Sequence, residues 1–164
     1  AMPAEPCAAA IRNAARLVRG AGILRVPVLV TEQYPRGLGA TVAELRDALG
    51  ELEPPARQFE KLEFDACRNA ACSPAFASLP RRVVLAGMEA HICVWQTARG
   101  LIALGREVIV ATDATCSRIP DNHRVAEELW RESGASVSCT EAVLFDLLGS
   151  AEGDRFKAIS RLVR

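Results

Sequence analysis

Residues 83–118, VVLAGMEAHICVWQTARGLIALGREVIVATDATCSR, decide the fold class of this chain. Apolar, β-branched runs at 82–86 and 107–112 predict two buried strands, and the segment 93–104 between them predicts a helix that ends at Gly105. Two apolar strands joined through a helix form a parallel βαβ unit whose sheet is covered by helices. The sequence therefore predicts an α/β domain built on a parallel sheet.

The segments on either side continue this alternation of helices and strands. Gly20 and Gly22 are expected to end the first helix, and Thr41 to cap the second with Glu44 at the capping-box position. In open α/β sheets ligands bind beyond the carboxyl ends of the strands, so the loops that follow the strands are where a site is expected. The further predicted elements are helices at 7–21, 41–49, 121–133 and from 140, and strands at 26–31, 58–61 and 135–139.

Composition limits the classes of function. The chain has 164 residues, the size of one domain (1–164), and its 20 basic residues cancel its 20 acidic ones. A neutral balance argues against a nucleic-acid binder, which usually carries a strongly basic face. No apolar run approaches the roughly 20 residues that span a bilayer, and the N-terminus lacks the pattern of a signal peptide. We therefore expect one domain with no nucleic-acid or membrane partner.

Six cysteines, at positions 7, 67, 72, 93, 116 and 139, are scattered through apolar segments. They form no C-x-x-C pair, and His91 and His123 are the only histidines, so ligand number and spacing exclude a zinc finger or ribbon. A chain of this length has its own core and needs no disulfide framework. We expect reduced, mostly buried thiols in a cytoplasmic protein.

Cys93 is the strongest catalytic candidate. It follows the predicted strand end at Ala86, where a loop turns into a helix, and backbone N–H groups and the helix dipole at such a position favour the thiolate. The same N–H groups can stabilise an oxyanion. The alternative is a small buried helix residue, like the other cysteines.

Lys61 is the second catalytic candidate, because it ends a short strand and lies at the same sheet edge if that strand is parallel. An ammonium there can hold a carboxylate, stabilise a neighbouring thiolate or bind a carbonyl substrate, whereas the alternative is a solvated surface charge. His91 could be a general base, but residues at i and i+2 do not face one another on a helix, so an orienting or structural role fits better. The further candidates for substrate binding are Gln33, Tyr34, His91 and Arg118.

Several familiar motifs are absent from the sequence. Gly37 and Gly39 form an isolated G-x-G without the third glycine of a dinucleotide fingerprint. There is no P-loop and no G-x-S-x-G elbow of the serine hydrolases. Asp113, with Ser117 and Arg118, binds a polar substrate or else only forms a turn and caps a helix.

The G-M-E-A-H-I-C-V segment and its following helix resemble the core signature of the isochorismatase-like cysteine hydrolase superfamily. Residues 27–45, PVLVTEQYPRGLGATVAEL, and 59–64, FEKLEF, are similar to its upstream segments, and 159–163, ISRLV, to an uncharacterised bacterial subgroup. The resemblance implies a three-layer α/β/α fold with a doubly wound parallel sheet of about six strands. It assigns the nucleophile to Cys93 and the catalytic lysine to Lys61. It also implies a cis peptide bond between Met88 and Glu89, and an oxyanion hole formed by the backbone N–H groups of Glu89 and Cys93.

The sequence departs from this family at its N-terminus. The catalytic aspartate of the family ends a first, central strand, and both the strand and the aspartate are absent from this sequence. Without that strand, two half-sheets would be left with unpaired backbone groups, which are costly to bury, so a stable domain is not expected without it. The hypothesis is that a preceding segment of the natural protein is missing here, and the alternative is a degenerate, inactive member. Asp65 matches no catalytic position of the family.

The expected function is hydrolysis of a small molecule, at an amide or similar C–N bond, through a covalent intermediate on Cys93. No cofactor is expected and no metal, because the paired histidines of the nicotinamidase branch are not evident in a chain with only His91 and His123. The resemblance implies a homo-oligomer, a dimer or larger. The rival hypothesis is a non-catalytic scaffold or interaction protein built on the same fold.

Overall fold

The computed structural model describes residues 4–164, and the side chains of residues 7–164. The strands are β1 (Leu29–Gln33), β2 (Arg57–Lys61), β3 (Arg82–Met88), β4 (Glu107–Cys116) and β5 (Ser136–Ser138). The helices are α1 (Ala4–Leu24), α2 (Pro35–Leu38), α3 (Ala43–Gly50), α4 (Ser73–Ala77), α5 (Trp95–Ala103), α6 (Pro120–Glu132), α7 (Thr140–Leu148) and α8 (Gly153–Leu162). A 3-10 turn at Ala66–Arg68 and a π-helical turn at Ala90–Val94 follow β2 and β3. Across the described residues, no helix has the length and apolar character needed to cross a bilayer.

The strands form two separate parallel sheets. β1 pairs with β2, and the second sheet has the order β3-β4-β5. All pairings are parallel, so the predicted α/β class is confirmed. The arrangement also matches the expected division into two half-sheets.

β1 and β3 are less buried than the sequence predicts. Apolar runs at 26–31 and 82–86 indicate fully buried strands, yet no residue of β1 or β3 is buried. Each of these strands pairs with one neighbour in the described part of the chain, which leaves its other edge without a partner strand. The prediction of buried strands is therefore wrong for these two. β4 has a neighbouring strand on both sides. Val108 and five further residues of β4, the last of them Cys116, are buried.

β4 carries the core on both of its faces. Val110 packs on one side in a cluster with Leu101 of α5, and Ala111 packs on the other with Ala14 of α1 and Val143 of α7. Successive strand residues point to opposite faces, so this alternation places helices on both sides of the sheet. The three-layer α/β/α architecture implied by the resemblance is confirmed.

α1 continues through the two glycines that were expected to end it. Gly20 is buried, and a Cβ added there would lie 2.2 Å from Leu144 Cδ2 on α7. The glycine therefore permits close approach of two helices and does not terminate one. The prediction that the helix stops at Gly20 and Gly22 is wrong because a tertiary contact, which the local sequence does not reveal, overrides helix propensity.

The side chain of Glu32 closes the loop after β1 by accepting two hydrogen bonds from Thr41. Its Oε1 accepts hydrogen bonds from the N–H of Thr41 at 2.6 Å and from the hydroxyl at 2.5 Å. The hydroxyl is therefore not available to α3, whose N-cap is Val42, so the predicted Thr41 cap is wrong. Both bonds lower the pKa of the Glu32 carboxyl because both favour its charged form. The bond from the Thr41 hydroxyl has the larger effect and the bond from the Thr41 N–H the smaller.

This loop closure predicts a pH-dependent contribution to stability. Because the folded-state pKa of Glu32 is lowered, its contribution is present above the unfolded value of 4.5 and is lost as pH falls through the folded value. We expect Glu32→Gln to lower Tm at neutral pH and to lower it less at about pH 3, where the carboxyl of the unfolded chain is protonated. Circular dichroism melts at both pH values measure this, with Glu128→Gln on the exposed side of α6 as control. An equal loss of Tm at both pH values would contradict the electrostatic explanation.

The position of the core predicts that two nearby leucines differ in their contribution to stability. Leu101 is fully buried, and Leu101→Ala is expected to lower the free energy of unfolding by about 2–5 kcal/mol through lost burial and a residual cavity. Leu104, just past the end of α5, is 45% exposed, so Leu104→Ala is expected to change it by no more than about 0.5 kcal/mol. Urea denaturation of both variants measures the difference. Equal losses would show that the cluster around Leu101 is not the core.

Candidate functional site

The site begins where β1 and β2 end. Their parallel register pairs Gln33 with Lys61, so both side chains emerge at the carboxyl end of the same sheet. The N–H of Tyr34 donates to the Lys61 carbonyl at 3.0 Å and extends this pairing by one residue. The predicted weak strand ending at Lys61 is therefore real and parallel.

Lys61 is buried, with 5% of its surface exposed. Its ammonium donates to Gln33 Oε1 at 2.6 Å, to the Glu63 carbonyl at 2.9 Å and to the Phe64 carbonyl at 3.5 Å. These neutral acceptors match the three N–H donors of an ammonium. A solvated surface lysine, the alternative interpretation of the sequence, does not describe this residue.

Cys93 approaches the same glutamine from the other sheet. It lies in the π-helical turn that follows β3, two residues before α5 begins at Trp95. Its Sγ lies 4.0 Å from Gln33 Oε1, at the limit of a thiol hydrogen bond. Gln33 thus contacts both residues that the sequence singles out as catalytic, and the side chain is itself partly buried.

The turn before Cys93 is fixed by backbone contacts. The Met88–Glu89 peptide bond is cis. The Glu89 carbonyl accepts hydrogen bonds from the N–H groups of Ile92 at 3.1 Å and Val94 at 3.3 Å. The helical geometry therefore begins at Ala90, three residues before the predicted helix start at Cys93.

Arg118 is tied to Glu89 across the end of the second sheet. Its Nε lies 2.8 Å from Glu89 Oε1, and its backbone N–H donates to Glu89 Oε2 at 2.9 Å. The Glu89 side chain is only 17% exposed, whereas that of Arg118 is 60% exposed. The pair connects the residue after β3 with the loop after β4.

His91 points into a separate hydrogen-bond network. Its Nδ1 lies 2.9 Å from the Ser117 hydroxyl and its Nε2 lies 3.3 Å from the Asn122 amide nitrogen. Both ring nitrogens therefore have neighbours other than Cys93. This arrangement gives no support to a role for His91 as the base of Cys93, and it favours the orienting alternative.

Tyr34 borders an open cavity of about 310 Å³ next to Lys61. Its backbone is left-handed, with φ 42°, and its ring covers Gly37, where a Cβ would lie 2.2 Å from the ring. Half of the Tyr34 surface remains exposed. The cavity is also lined by Pro35, Arg36, Glu60, Leu62, Glu63 and Asn69.

A larger cavity lies elsewhere and carries no comparable chemistry. It has a volume of about 550 Å³ and is lined by residues of α1 and α8 and of the α3 end, among them Arg19, Leu52 and Leu162. Arg19 is paired there with Glu51 at 3.0 Å. No thiol or lysine lines it, so size alone does not identify the functional site.

Asp65 and Thr97 hold the loop that follows Lys61. Asp65 Oδ1 accepts from the Cys67 N–H at 2.9 Å and caps the 3-10 turn, and Thr97 Oγ1 accepts from the Ala66 N–H at 3.1 Å. Asp65 therefore has a local structural role. Thr97 is a buried positioning residue that sequence reasoning missed, because an isolated threonine within an amphipathic helix carries no signal.

Asp113 likewise has structural contacts. Its Oδ1 accepts from the N–H of Thr140 at 2.7 Å and from the hydroxyl at 2.9 Å, at the start of α7. Asn13 of α1 donates to Oδ2 at 3.2 Å. The turn-and-cap alternative for Asp113 is therefore favoured over substrate binding.

Three other cysteines have environments that oppose thiolate formation. Burial, and next the negative charge of Asp65, raises the pKa of Cys67 to about 12. Burial also raises the pKa of Cys72 and of Cys116. Cys139 is exposed, and all six cysteines are free. The described part of the chain contains no group of His, Cys, Asp and Glu side chains able to hold a metal ion.

Comparison with known proteins places this chain in a family. Residues 2–142 match the family model described as the isochorismatase domain. Isochorismatase domain-containing protein 1 of Salmo salar is 39% identical over 151 residues, which is 91% of this chain and 51% of that protein. The chain thus spans about half the length of this relative.

Two solved structures extend the comparison to the fold. MAR1 ribonuclease from Caenorhabditis elegans superposes with a TM-score of 0.87 at 33% identity and covers 95% of this chain and 79% of that one. The YcaC gene product of Escherichia coli superposes with a TM-score of 0.85 at 21% identity, over 98% and 76% of the two chains, a likeness of fold alone. With the family model matching most of its length, this chain belongs to the isochorismatase domain family.

Proposed function

We propose that this chain is a cysteine hydrolase that cleaves an amide or other C–N bond of a small molecule through a covalent intermediate on Cys93. The observation that carries the proposal is the contact of one Gln33 oxygen with both the Lys61 ammonium and the Cys93 thiol. A nearby ammonium favours the thiolate, which is the nucleophilic form of cysteine. Membership of a family with hydrolase relatives supports the same reaction class.

The proposed reaction has two stages. The thiol proton passes to a base, which the resemblance assigns to an aspartate, and from there to solvent. The sulfur attacks the carbonyl carbon and forms a C–S bond, and the carbonyl π electrons move onto oxygen. Collapse of this intermediate breaks the C–N bond, and the amine leaves with a proton from water. Water then cleaves the C–S bond, releases the acid and restores the thiol.

Lys61 contributes to these steps through its charge. Its three N–H donors already have acceptors, so we assign it electrostatic stabilisation of the thiolate and not proton transfer. We assign the oxyanion hole to the backbone N–H groups of Glu89 and Cys93. The pairing of Glu89 with Arg118 supports this assignment, since it holds Glu89 in place.

The cavity beside Lys61, which Cys93 does not line, is the proposed entrance for the substrate. Its volume of about 310 Å³ suits a small molecule, and Tyr34 forms part of its wall. We propose that Arg118, whose side chain is largely exposed, contacts an anionic group of the substrate. His91 is proposed to orient the turn that carries Cys93. The proposed reaction uses neither a cofactor nor a metal.

RNA is a less suitable substrate for this chain, although the similar protein from Caenorhabditis elegans is named a ribonuclease. RNA binding relies on a positively charged surface that neutralises phosphates. This chain has equal numbers of acidic and basic residues, and the cavity is lined by Glu60 and Glu63 as well as by Arg36 and Lys61. We therefore propose a small-molecule substrate.

The second candidate function is a scaffold without catalytic activity. The observation that favours it is the lack of a carboxylate ion pair with Lys61 within the described side chains. A scaffold needs no activated thiol, whereas the proposed hydrolase needs the Cys93 thiolate that Lys61 favours, so the two functions differ in the reactivity expected of Cys93.

Assembly and location complete the proposal. The YcaC protein is described as an octameric hydrolase, and we propose that this chain also forms a homo-oligomer. We place the protein in the cytoplasm, because six free cysteines suit a reducing compartment. Neither statement affects the chemistry assigned to Cys93.

The first prediction from this proposal concerns thiol reactivity in the native protein. Near neutral pH, iodoacetamide is expected to label Cys93 about tenfold faster than the exposed Cys139. Cys67, Cys72 and Cys116 are expected to stay unlabelled, because burial raises the pKa of each. Peptide mass spectrometry separates the sites, since the tryptic peptide 83–99 contains Cys93 alone. Labelling of Cys93 no faster than Cys139 would favour the scaffold.

The second prediction concerns the covalent intermediate. With p-nitrophenyl acetate as probe, the protein is expected to release a burst of p-nitrophenolate and to gain one acetyl group on peptide 83–99. Cys93→Ala should abolish both, and Lys61→Met should slow the burst about tenfold or more through loss of the charge. Cys139→Ala is the matched control and should behave as wild type. A burst of unchanged size in Cys93→Ala would overturn the assignment of the nucleophile.

A further inference from the structure

The oxygen and the nitrogen of the Gln33 carboxamide both make hydrogen bonds within the protein. Its oxygen accepts from Lys61 Nζ at 2.6 Å, and its nitrogen donates to the Leu62 carbonyl at 2.7 Å. The same oxygen is 4.0 Å from Cys93 Sγ. The oxygen and one of the two N–H groups of the amide are thus engaged within the protein, which limits what Gln33 can offer a substrate.

The backbone fixes Gln33 in this position. Gln33 and Lys61 are register partners at the ends of two paired strands, so the spacing of their Cα atoms is set by the sheet. The hydrogen bond from Gln33 to Leu62 then fixes the orientation of the amide group, which presents its oxygen to the ammonium.

The three acceptors of the Lys61 ammonium come from two parts of the chain. Two of them, the carbonyls of Glu63 and Phe64, belong to the loop that follows β2. Gln33 is the acceptor that also touches Cys93. Without Gln33, the ammonium would be held by the loop carbonyls alone, and its attraction to the sulfur would weaken with distance.

The other titratable groups near Lys61 and the π-helical turn have hydrogen-bond or ion-pair partners of their own. Glu63 accepts from the Asn69 amide at 2.7 Å, a bond that lowers the pKa of the Glu63 carboxyl. Glu89 is paired with Arg118, and His91 lies against Ser117 and Asn122. Of these charged side chains, Lys61 is therefore the one that Gln33 can position.

We infer that Gln33 is a positioning residue, which holds the Lys61 ammonium beside Cys93, and that it does not serve to bind substrate. The inference rests on the proposed function, because it assigns Gln33 an effect on the reactivity of the proposed nucleophile. Gln33 acts through Lys61, so its effect on Cys93 requires the lysine to be present.

The test is a double-mutant cycle read as the pH dependence of Cys93 alkylation by iodoacetamide, measured on peptide 83–99 without substrate. Gln33→Met removes the amide while keeping an unbranched side chain of similar length. We expect the half-maximal pH to rise by about one unit, and the rate near neutral pH to fall about tenfold. Lys61→Met should raise it at least as much, and adding Gln33→Met to Lys61→Met should change it no further.

Matched controls keep the result interpretable. Gln58→Met changes an exposed glutamine on the neighbouring strand β2 and should leave the pH profile unchanged, and Cys139 in the same digest reports an ordinary exposed thiol. Circular dichroism melts identify variants that do not fold, and for these the cycle is repeated with Gln33→Leu.

Each remaining outcome has a definite meaning. If Lys61→Met shifts the profile and Gln33→Met does not, the positioning role is wrong while the proposed function stands. If Gln33→Met causes the same shift with and without Lys61, Gln33 acts on the thiol by another route and the inference is overturned. If neither variant shifts the profile, the electrostatic part of the proposed function fails, and the inference fails with it.

Discussion

The parallel pairing of β1 with β2 is the constraint on which the site depends. It brings Gln33 and Lys61 to the same sheet edge, although 28 positions separate them in the chain. The pairing also buries the Lys61 ammonium among neutral oxygen atoms, where its charge is poorly screened by water. A one-residue slip in register would turn alternate side chains to the opposite face and break the contact of Lys61 with Gln33.

Features set by strong local patterns could be predicted from the sequence. The apolar runs that became β3 and β4, and the helix between them, are present close to the expected positions, because period and β-branched composition determine such elements. Cys93 and Lys61 could be selected because each follows a strand of a parallel sheet, where ligands bind. The family assignment, suggested by GMEAHICV and its neighbours, is confirmed by the match over residues 2–142.

Features set by contacts distant in sequence could not be predicted. The capping motif at Thr41 is locally plausible, but the Glu32 carboxylate competes for the same groups and binds them. Gly20 lies within a helix because α7 packs against it there, a fact that helix propensity does not contain. The contacts of Gln33 depend on the strand register and on where the turn after β3 places Cys93, and neither can be derived from one residue's surroundings in the sequence.

The division of the strands into two sheets has a mechanical consequence for this site. Lys61 ends a strand of one sheet, and Cys93 follows a strand of the other, with Gln33 between them. A small change in the separation of the sheets would alter the distance between ammonium and sulfur while each sheet kept its own hydrogen bonds. Under the proposed function, the reactivity of the Cys93 sulfur would therefore change with the separation of the two sheets, without any loss of secondary structure.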